Sequence, residues 1–394
     1  MSVFDSYYFR INKFLLTCTG LWPFLSYERK LFTRILVNTV LILYLIPTSG
    51  GLYEIWGELD LMVECFIPFF TSLGCLLLSI TYIYKEKQLR KLLSHIKSDW
   101  QISKSKGDVV VLENHAEDGR ILTILYTGSM VIASCFYILT TVTPQILDVF
   151  IPLNETRPKR LTSHVKYFFS WEKYFYYVVL HIIISSAVQV AVVTGCRSTF
   201  SILIEHACGL FSNVGHRLQR IMQNINVNNF KSNAELEEKI YRDVTFCIEC
   251  HQQAIEFTKI VESCFSTCFF IIMGVTVILI SATLIQTVVH IDNFNDATKF
   301  GSYALGLIID LYFNNLPAQR LLDCSSYYLS DRVFGGMWYK LPLKSKKLLI
   351  MIIMRTHFPS TLTVGKMFVL NMNNFSKVLH ASVSYFTLLS SLRT

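Results

Sequence analysis

Apolar residues in this chain fall in long, nearly unbroken runs rather than in alternation. A helix needs about 20 mostly apolar residues to cross a bilayer, and six windows reach that length, at 35–54, 62–84, 121–145, 174–196, 264–289 and 300–321. The seventh run is in two pieces. LLIMIIM at 348–354 is too short to cross, RTHFPS interrupts it where Pro359 ends or kinks a helix, and a longer helix is expected over 362–392. The pattern predicts an all-α membrane protein, a single domain over 1–394 with seven transmembrane helices and the last one broken in two.

That last helix is unusually wet, with Lys366, Asn373, Lys377 and His380 in its inner half. Polar side chains at membrane depth are costly and usually face a bundle interior or a water-filled path. Asn373, Lys377, His380, Ser384, Thr387 and Ser391 recur at helical spacing and form one stripe. Met372, Phe375, Leu379, Val383, Phe386 and Leu389 form the opposite, apolar face. One stripe cannot enclose a channel, whereas several copies around an axis would line one. Leu388, beside Thr387 and Ser391, would supply a hydrophobic ring that closes such a pore by dewetting. The alternative is that the stripe packs against polar helices of its own subunit.

Between 197 and 260 the chain carries mixed charge with helical periodicity, in EHACGLFSNVGHRLQRI and NAELEEKIYRDVTFCIECHQQAIEFTKIVE. Spans four and five are therefore expected to continue as helices well into the cytoplasm and to favour an oligomer.

Composition agrees with a membrane protein: 52% hydrophobic, 14% aromatic and 16% charged residues, with mean hydropathy +0.42. The eleven cysteines are scattered through apolar runs and read as small buried hydrophobes rather than a disulfide framework. The net charge of +8 comes from loops and makes no nucleic-acid stripe. Arg10 and Lys13 before FLLTCTGLWPFL faintly suggest a signal peptide, but Trp22 and Pro23 interrupt the run and no cleavage is expected.

Loop charge sets orientation. Arg10, Lys13, Arg29, Lys30 and Arg34 precede span one, and Lys85, Lys87, Arg90, Lys91 and Lys97 follow span two. The loop after span one holds only acids, Glu54, Glu58, Asp60 and Glu64. The N-terminus is thus expected in the cytoplasm and the C-terminus outside. The loop between spans three and four is also basic, yet its sequon at Asn154 needs a lumenal face and predicts glycosylation there. The sequon at Asn374 falls within the last span and is expected to be unused.

Several motifs carry no chemistry in this setting. Cys247-Ile-Glu-Cys250-His251 matches a haem-attachment pattern, but attachment belongs to an oxidising compartment. His206-x-Cys208 lacks the further ligands a zinc site needs. Asp331-Arg332-Val333 matches a triplet of G-protein-coupled receptors, but at the wrong helix. Aromatic residues from Phe168 to Tyr177 suit an interfacial belt, with a pocket wall as the alternative. No metal or cofactor is called for, and no conjunction of nucleophile and base suggests an enzyme.

Gly365-x-x-Phe368 through Phe375 to Ser384-Tyr385-Phe386, with LLTCTGLWPF and EHACGLFSNVGHRL, resembles insect odorant receptors across the whole chain. The resemblance implies a subunit of an odorant-gated, non-selective cation channel in the plasma membrane of olfactory sensory neurons, assembled as a heterotetramer with a co-receptor. It implies a central cytoplasmic anchor from 204–260 and 326–356, and a pore lined by the last helix with its gate at Leu388 and a polar position at Ser391. It places small hydrophobic odorants in the outer half of the bundle, with Phe69, Ser72, Tyr137, Thr140, Tyr176, Leu180, Thr283 and Tyr303 as candidates. Lys377 and His380 depart from the co-receptor's pattern and suggest a tuning subunit. Four lysines at one level would repel permeant cations in a homotetramer. A gustatory receptor of the same superfamily and a metabotropic seven-helix receptor remain alternatives.

Overall fold

A computed structural model describes the chain except residues 1–2, 103–105, 152–156, 158, 160, 162–163, 225–233 and 392–394. The Asn154 sequon lies outside the described residues. The described chain is overwhelmingly helical: α1 (Arg10–Cys18), α2 (Tyr27–Glu54), α3 (Leu59–Tyr84), α4 (Glu86–Ile102), α5 (Lys106–Phe150), α6 (Phe175–Gln223), α7 (Ala234–Val289), α8 (Phe294–Asp323), α9 (Leu329–Phe334), α10 (Leu343–Thr356) and α11 (Met372–Ser391). Strands β1 (Thr363–Val364) and β2 (Phe368–Val369) form a small antiparallel hairpin before α11. Among the described residues, five helices, α2, α3, α5, α6 and α7, are long and apolar enough to cross a membrane. The more polar α8 and α11 pack against them.

At 1.5 Å per residue, the 49 residues of α6 and 56 of α7 run to about 75 and 85 Å, well beyond a hydrocarbon core of about 30 Å. The excess is helical, as the mixed-charge periodicity predicts. It packs on α9 and α10 around Val214, Leu218, Val244, Leu329, Val333 and Ile352, which are buried together. Residues of 204–260 and 326–356 therefore share one core.

The lysine-rich connection after span two, read from sequence only as a charged loop, is the helix α4. Its Leu89, Leu92, Leu93 and Ile96 are buried and its lysines stay outside, an amphipathic pattern too short to stand out beside the long apolar runs. Glu86 at its start accepts from Lys30 at 2.6 Å and Arg34 at 3.0 Å. Burial alone would raise the Glu86 carboxyl, but these two cations outweigh it and hold it below the usual range.

LLTCTGLWPF is a buried plug. Leu16, Leu21 and Trp22 are in the main core, Phe4 meets Trp22 edge-on at 5.2 Å, and Arg34 Nε donates to the Gly20 carbonyl at 2.9 Å.

The cysteine and arginine motifs separate onto different partners. The Cys247 thiol is pushed up to about 12, chiefly by burial, Cys250 Sγ lies 3.0 Å from Arg217 Nη1, and His251 packs edge-on against Phe211 at 5.5 Å. His206 pairs with Asp99 at 2.9 Å. Arg332 donates to Gln219 at 2.7 Å. His115, Asp118 and Glu205 bring ligand atoms within 4.8 Å of one another, and Arg320, bound to both Asp118 and Glu205, supplies the cation among them.

Candidate functional site: a bundle cavity and an exposed polar helix face

A cavity of about 220 Å³ opens between α2, α3, α5, α6, α7 and α8. Its wall is mostly aliphatic and aromatic, including Met130, Ile182, Leu279, Tyr137 and Tyr303. The polar groups in it are largely engaged with one another: Thr71 Oγ1 with the Tyr303 hydroxyl, Ser134 with Ser186 at 2.8 Å, and Gln189 donating to Ser72 at 3.1 Å. An apolar wall with a few placed polar groups is what a small-molecule site requires.

Of the eight ligand candidates, Tyr137 and Tyr303 line this cavity, their rings 5.7 Å apart. Ser72 stands behind it through Gln189. Thr140 lines a second, more polar cavity of about 410 Å³ beside Lys299 and Trp171. Phe69 packs edge-on against the lining residue Phe70. Tyr176 and Leu180 are exposed on the outside of α6, and Thr283 is fully buried with its hydroxyl on its own helix. Most of the Phe168–Tyr177 aromatics are likewise exposed, as in a belt, though Phe175 is buried.

The cavity ends on two charged residues that the apolar-window reading passed over. Arg197 and Asp310 are both cavity-lining, with Arg197 Nε 3.6 Å from Asp310 Oδ1. Asp310 lies in the middle of the window 300–321, and an acid there was itself a signal. Arg197 stands one residue beyond a window, where sequence gave no reason to single it out. Asp310 accepts from the Tyr126 hydroxyl at 2.5 Å and from the Asn314 amide at 3.1 Å. The next residue, Asn315, accepts from Asn374 of α11 at 3.2 Å. Polar side chains thus step from the cavity along α8 to the last helix, and the Asn374 amide is occupied inside the bundle.

On α11 the six stripe residues, Asn373, Lys377, His380, Ser384, Thr387 and Ser391, are all exposed on the isolated chain, and so is Leu388. The face against α7 and α8 is instead Asn374, Val378 and Ser382, where Val378 packs with Ile280 and Leu311 and Ser281 donates to the Ser382 carbonyl at 2.9 Å. The apolar residues on the far side of the stripe are only half-buried at Met372, Phe375, Leu379 and Phe386, and Val383 is exposed. The packed face sits between the two faces that periodicity distinguishes, because small residues allow closer helix approach than large ones.

The hairpin aims this helix. Gly365 and Lys366 are both left-handed, at φ of 61° and 58°, and Met367 N–H donates to the Val364 carbonyl at 3.1 Å, as a primed hairpin turn requires. Gly365 N–H donates to Ser266 on α7 at 3.1 Å, and Thr363 N–H to Glu262 at 3.1 Å. The motif residue Phe368 stacks over Phe270 at 6.4 Å.

Comparison with known proteins adds the family. Residues 58–383 match the family model described as 7tm Odorant receptor. Odorant receptor 13a of Drosophila melanogaster is 24% identical, with 99% of this chain and 98% of that protein covered. Odorant receptor Or2 of Anopheles gambiae is 22% identical, over 93% and 95% respectively. The olfactory receptor OR5 from Machilis hrabei in complex with eugenol shares the fold at a TM-score of 0.79 and 13% identity, with 97% of both chains covered. A second structure of OR5 from Machilis hrabei gives a TM-score of 0.76 at 14% identity, with 96% of both chains covered.

Proposed function

Because the chain belongs to the 7tm odorant receptor family, and so among membrane receptors rather than enzymes, we propose that it is a tuning subunit of an odorant-gated, non-selective cation channel. It assembles with a co-receptor as a heterotetramer in the plasma membrane of olfactory sensory neurons. Seven spans run from a cytoplasmic N-terminus to an extracellular C-terminus, and Asn154 is glycosylated outside. Small volatile, mainly neutral molecules occupy the cavity bounded by Tyr137 and Tyr303, a reading in keeping with the eugenol complex of OR5.

The observation that carries this reading is the exposure of the whole α11 stripe while Asn374, Val378 and Ser382 are buried against the same subunit. A stripe that served internal packing would be covered. Left outward, it meets water only where several subunits turn it toward a common axis. Odorant shifts the population toward a bundle arrangement in which α11 withdraws Leu388 from the constriction. The steps from Asp310 through Asn314 and Asn315 to Asn374 offer a physical link for that shift. The core shared by α6, α7, α9 and α10 anchors neighbouring subunits to each other.

The test is whole-cell recording from cells expressing this chain with and without a co-receptor. Odorant-evoked cation current is expected from the pair, and Leu388→Ala is expected to raise closed-state leak or change gating. Normal surface expression with no current from the pair, or with leak and gating unchanged in Leu388→Ala, would count against channel function and the gate respectively.

A further inference from the structure

Arg197 is buried to the extent that 5% of it is exposed, and its Nε makes no hydrogen bond. Its contact with Asp310, at 3.6 Å, is too long for one. Asp310, by contrast, already accepts from Tyr126 and Asn314. The guanidinium is further held 4.3 Å over the Phe269 ring, which attracts a cation but leaves its N–H donors in need of acceptors. The pair is therefore asymmetric: a satisfied acid beside an unsatisfied donor at the end of an otherwise apolar cavity. A buried donor without an acceptor is destabilised until something supplies one.

We infer that Arg197 is a specificity-determining residue that selects ligands bearing a neutral carbonyl, such as ketones, esters or aldehydes, with the carbonyl oxygen docked on its guanidinium and the alkyl body among Met130, Ile182 and Leu279. This rests on the reading of the cavity as the odorant site. The class follows from charge. Asp310 already balances Arg197, so a carboxylate would leave an excess negative charge in a buried site, where that is costly. An amine would bring its positive charge to a cation. A hydrocarbon would leave the donor unpaired, forfeiting the gain that a bound acceptor brings. A cavity of about 220 Å³, against about 30 Å³ for a water molecule, takes a molecule on the order of ten heavy atoms. One acceptor is then a large share of what such a ligand offers.

The test uses pairs of alkane and methyl ketone with matched skeletons, from hexane to dodecane, and the corresponding carboxylic acids. Binding is read on the purified full chain as a ligand-induced shift in thermal unfolding, and current is read on the co-expressed complex. In the native chain the best-fitting ketone is expected to half-saturate at about tenfold lower concentration than its alkane, the weight of one hydrogen bond to a charged donor. In the charge-neutral variant Arg197→Met/Asp310→Asn that advantage is expected to vanish, the ketone and its alkane half-saturating at about the same concentration. The double variant avoids stranding Asp310, and comparing each compound between the two proteins cancels its partition into detergent. Equal binding of ketone and alkane by the native chain, an acid preferred to the ketone, an advantage that survives in the variant, or no binding of either compound would overturn the inference. Discrimination in binding without current would leave the inference standing and sink the channel reading. Current without discrimination would do the reverse.

Discussion

Gly365 has two reasons to be glycine. Its φ of 61° costs a residue with a Cβ roughly 1–2 kcal/mol, and a Cβ there would meet the Phe270 ring at 2.7 Å. Gly365→Ala is expected to lower the stability of the purified chain by about 2–4 kcal/mol once overpacking is added, seen as a fall in thermal unfolding temperature and surface expression. Gly274→Ala, on an exposed helical site with nothing within 4 Å, should change little. The sequence carried Gly365 and Phe368 as a motif, whereas their roles as turn and stacking partner depend on α7, about a hundred residues earlier. Tyr137 and Tyr303 could be named from sequence for a similar reason in reverse: an aromatic in the outer half of a span is visible, but its facing direction is not. Tyr176 satisfies the same description and points away from the bundle, as does the neighbouring candidate Leu180.

Periodicity is most informative for whole elements. The continuation of α6 and α7 past any bilayer thickness, and the wet stripe of α11, were both legible because helical spacing persists where hydropathy changes. Less legible was which face packs: Asn374 and Ser382 are small and polar, and only contact with Asn315 and Ser281 reveals them as the buried side. The helix α4 was hidden as well, since positive charge drew attention to its outer face. The α6–α7 extension also has a pH response. Burial, followed by the nearby Arg355, pushes His251 from 6.5 down to about 4. The folded state therefore keeps it neutral while unfolded chain takes up a proton below 6.5. Stability is full above 6.5 and falls as pH drops toward 4, by roughly 3 kcal/mol at about 1.4 kcal/mol per unit. Hydrogen exchange of the 244–258 backbone should accelerate over that window beyond its intrinsic pH trend, and His251→Gln should flatten the excess. A His251→Gln chain with the same excess would assign the response elsewhere.

At the scale of the whole molecule a cavity, a polar route and an outward-facing stripe come together, and none of them is complete in sequence. The cavity draws on six helices, and its charged end pairs residues 113 positions apart. A single subunit leaves Lys377, Ser384 and Leu388 facing outward, so in the proposed channel the pore would belong to the assembly, and the charge of Lys377 would leave other subunits to supply the rest of its lining.

The most direct measurement is block of odorant-evoked current by a positively charged methanethiosulfonate reagent, applied to the co-expressed complex carrying Ser384→Cys on the stripe or Ser382→Cys on the buried face. Irreversible loss of current is expected with Ser384→Cys, and none with Ser382→Cys or the unsubstituted chain. Undiminished current from a well-expressed Ser384→Cys complex, or equal block at Ser382→Cys, would contradict a pore lined by the exposed face of α11.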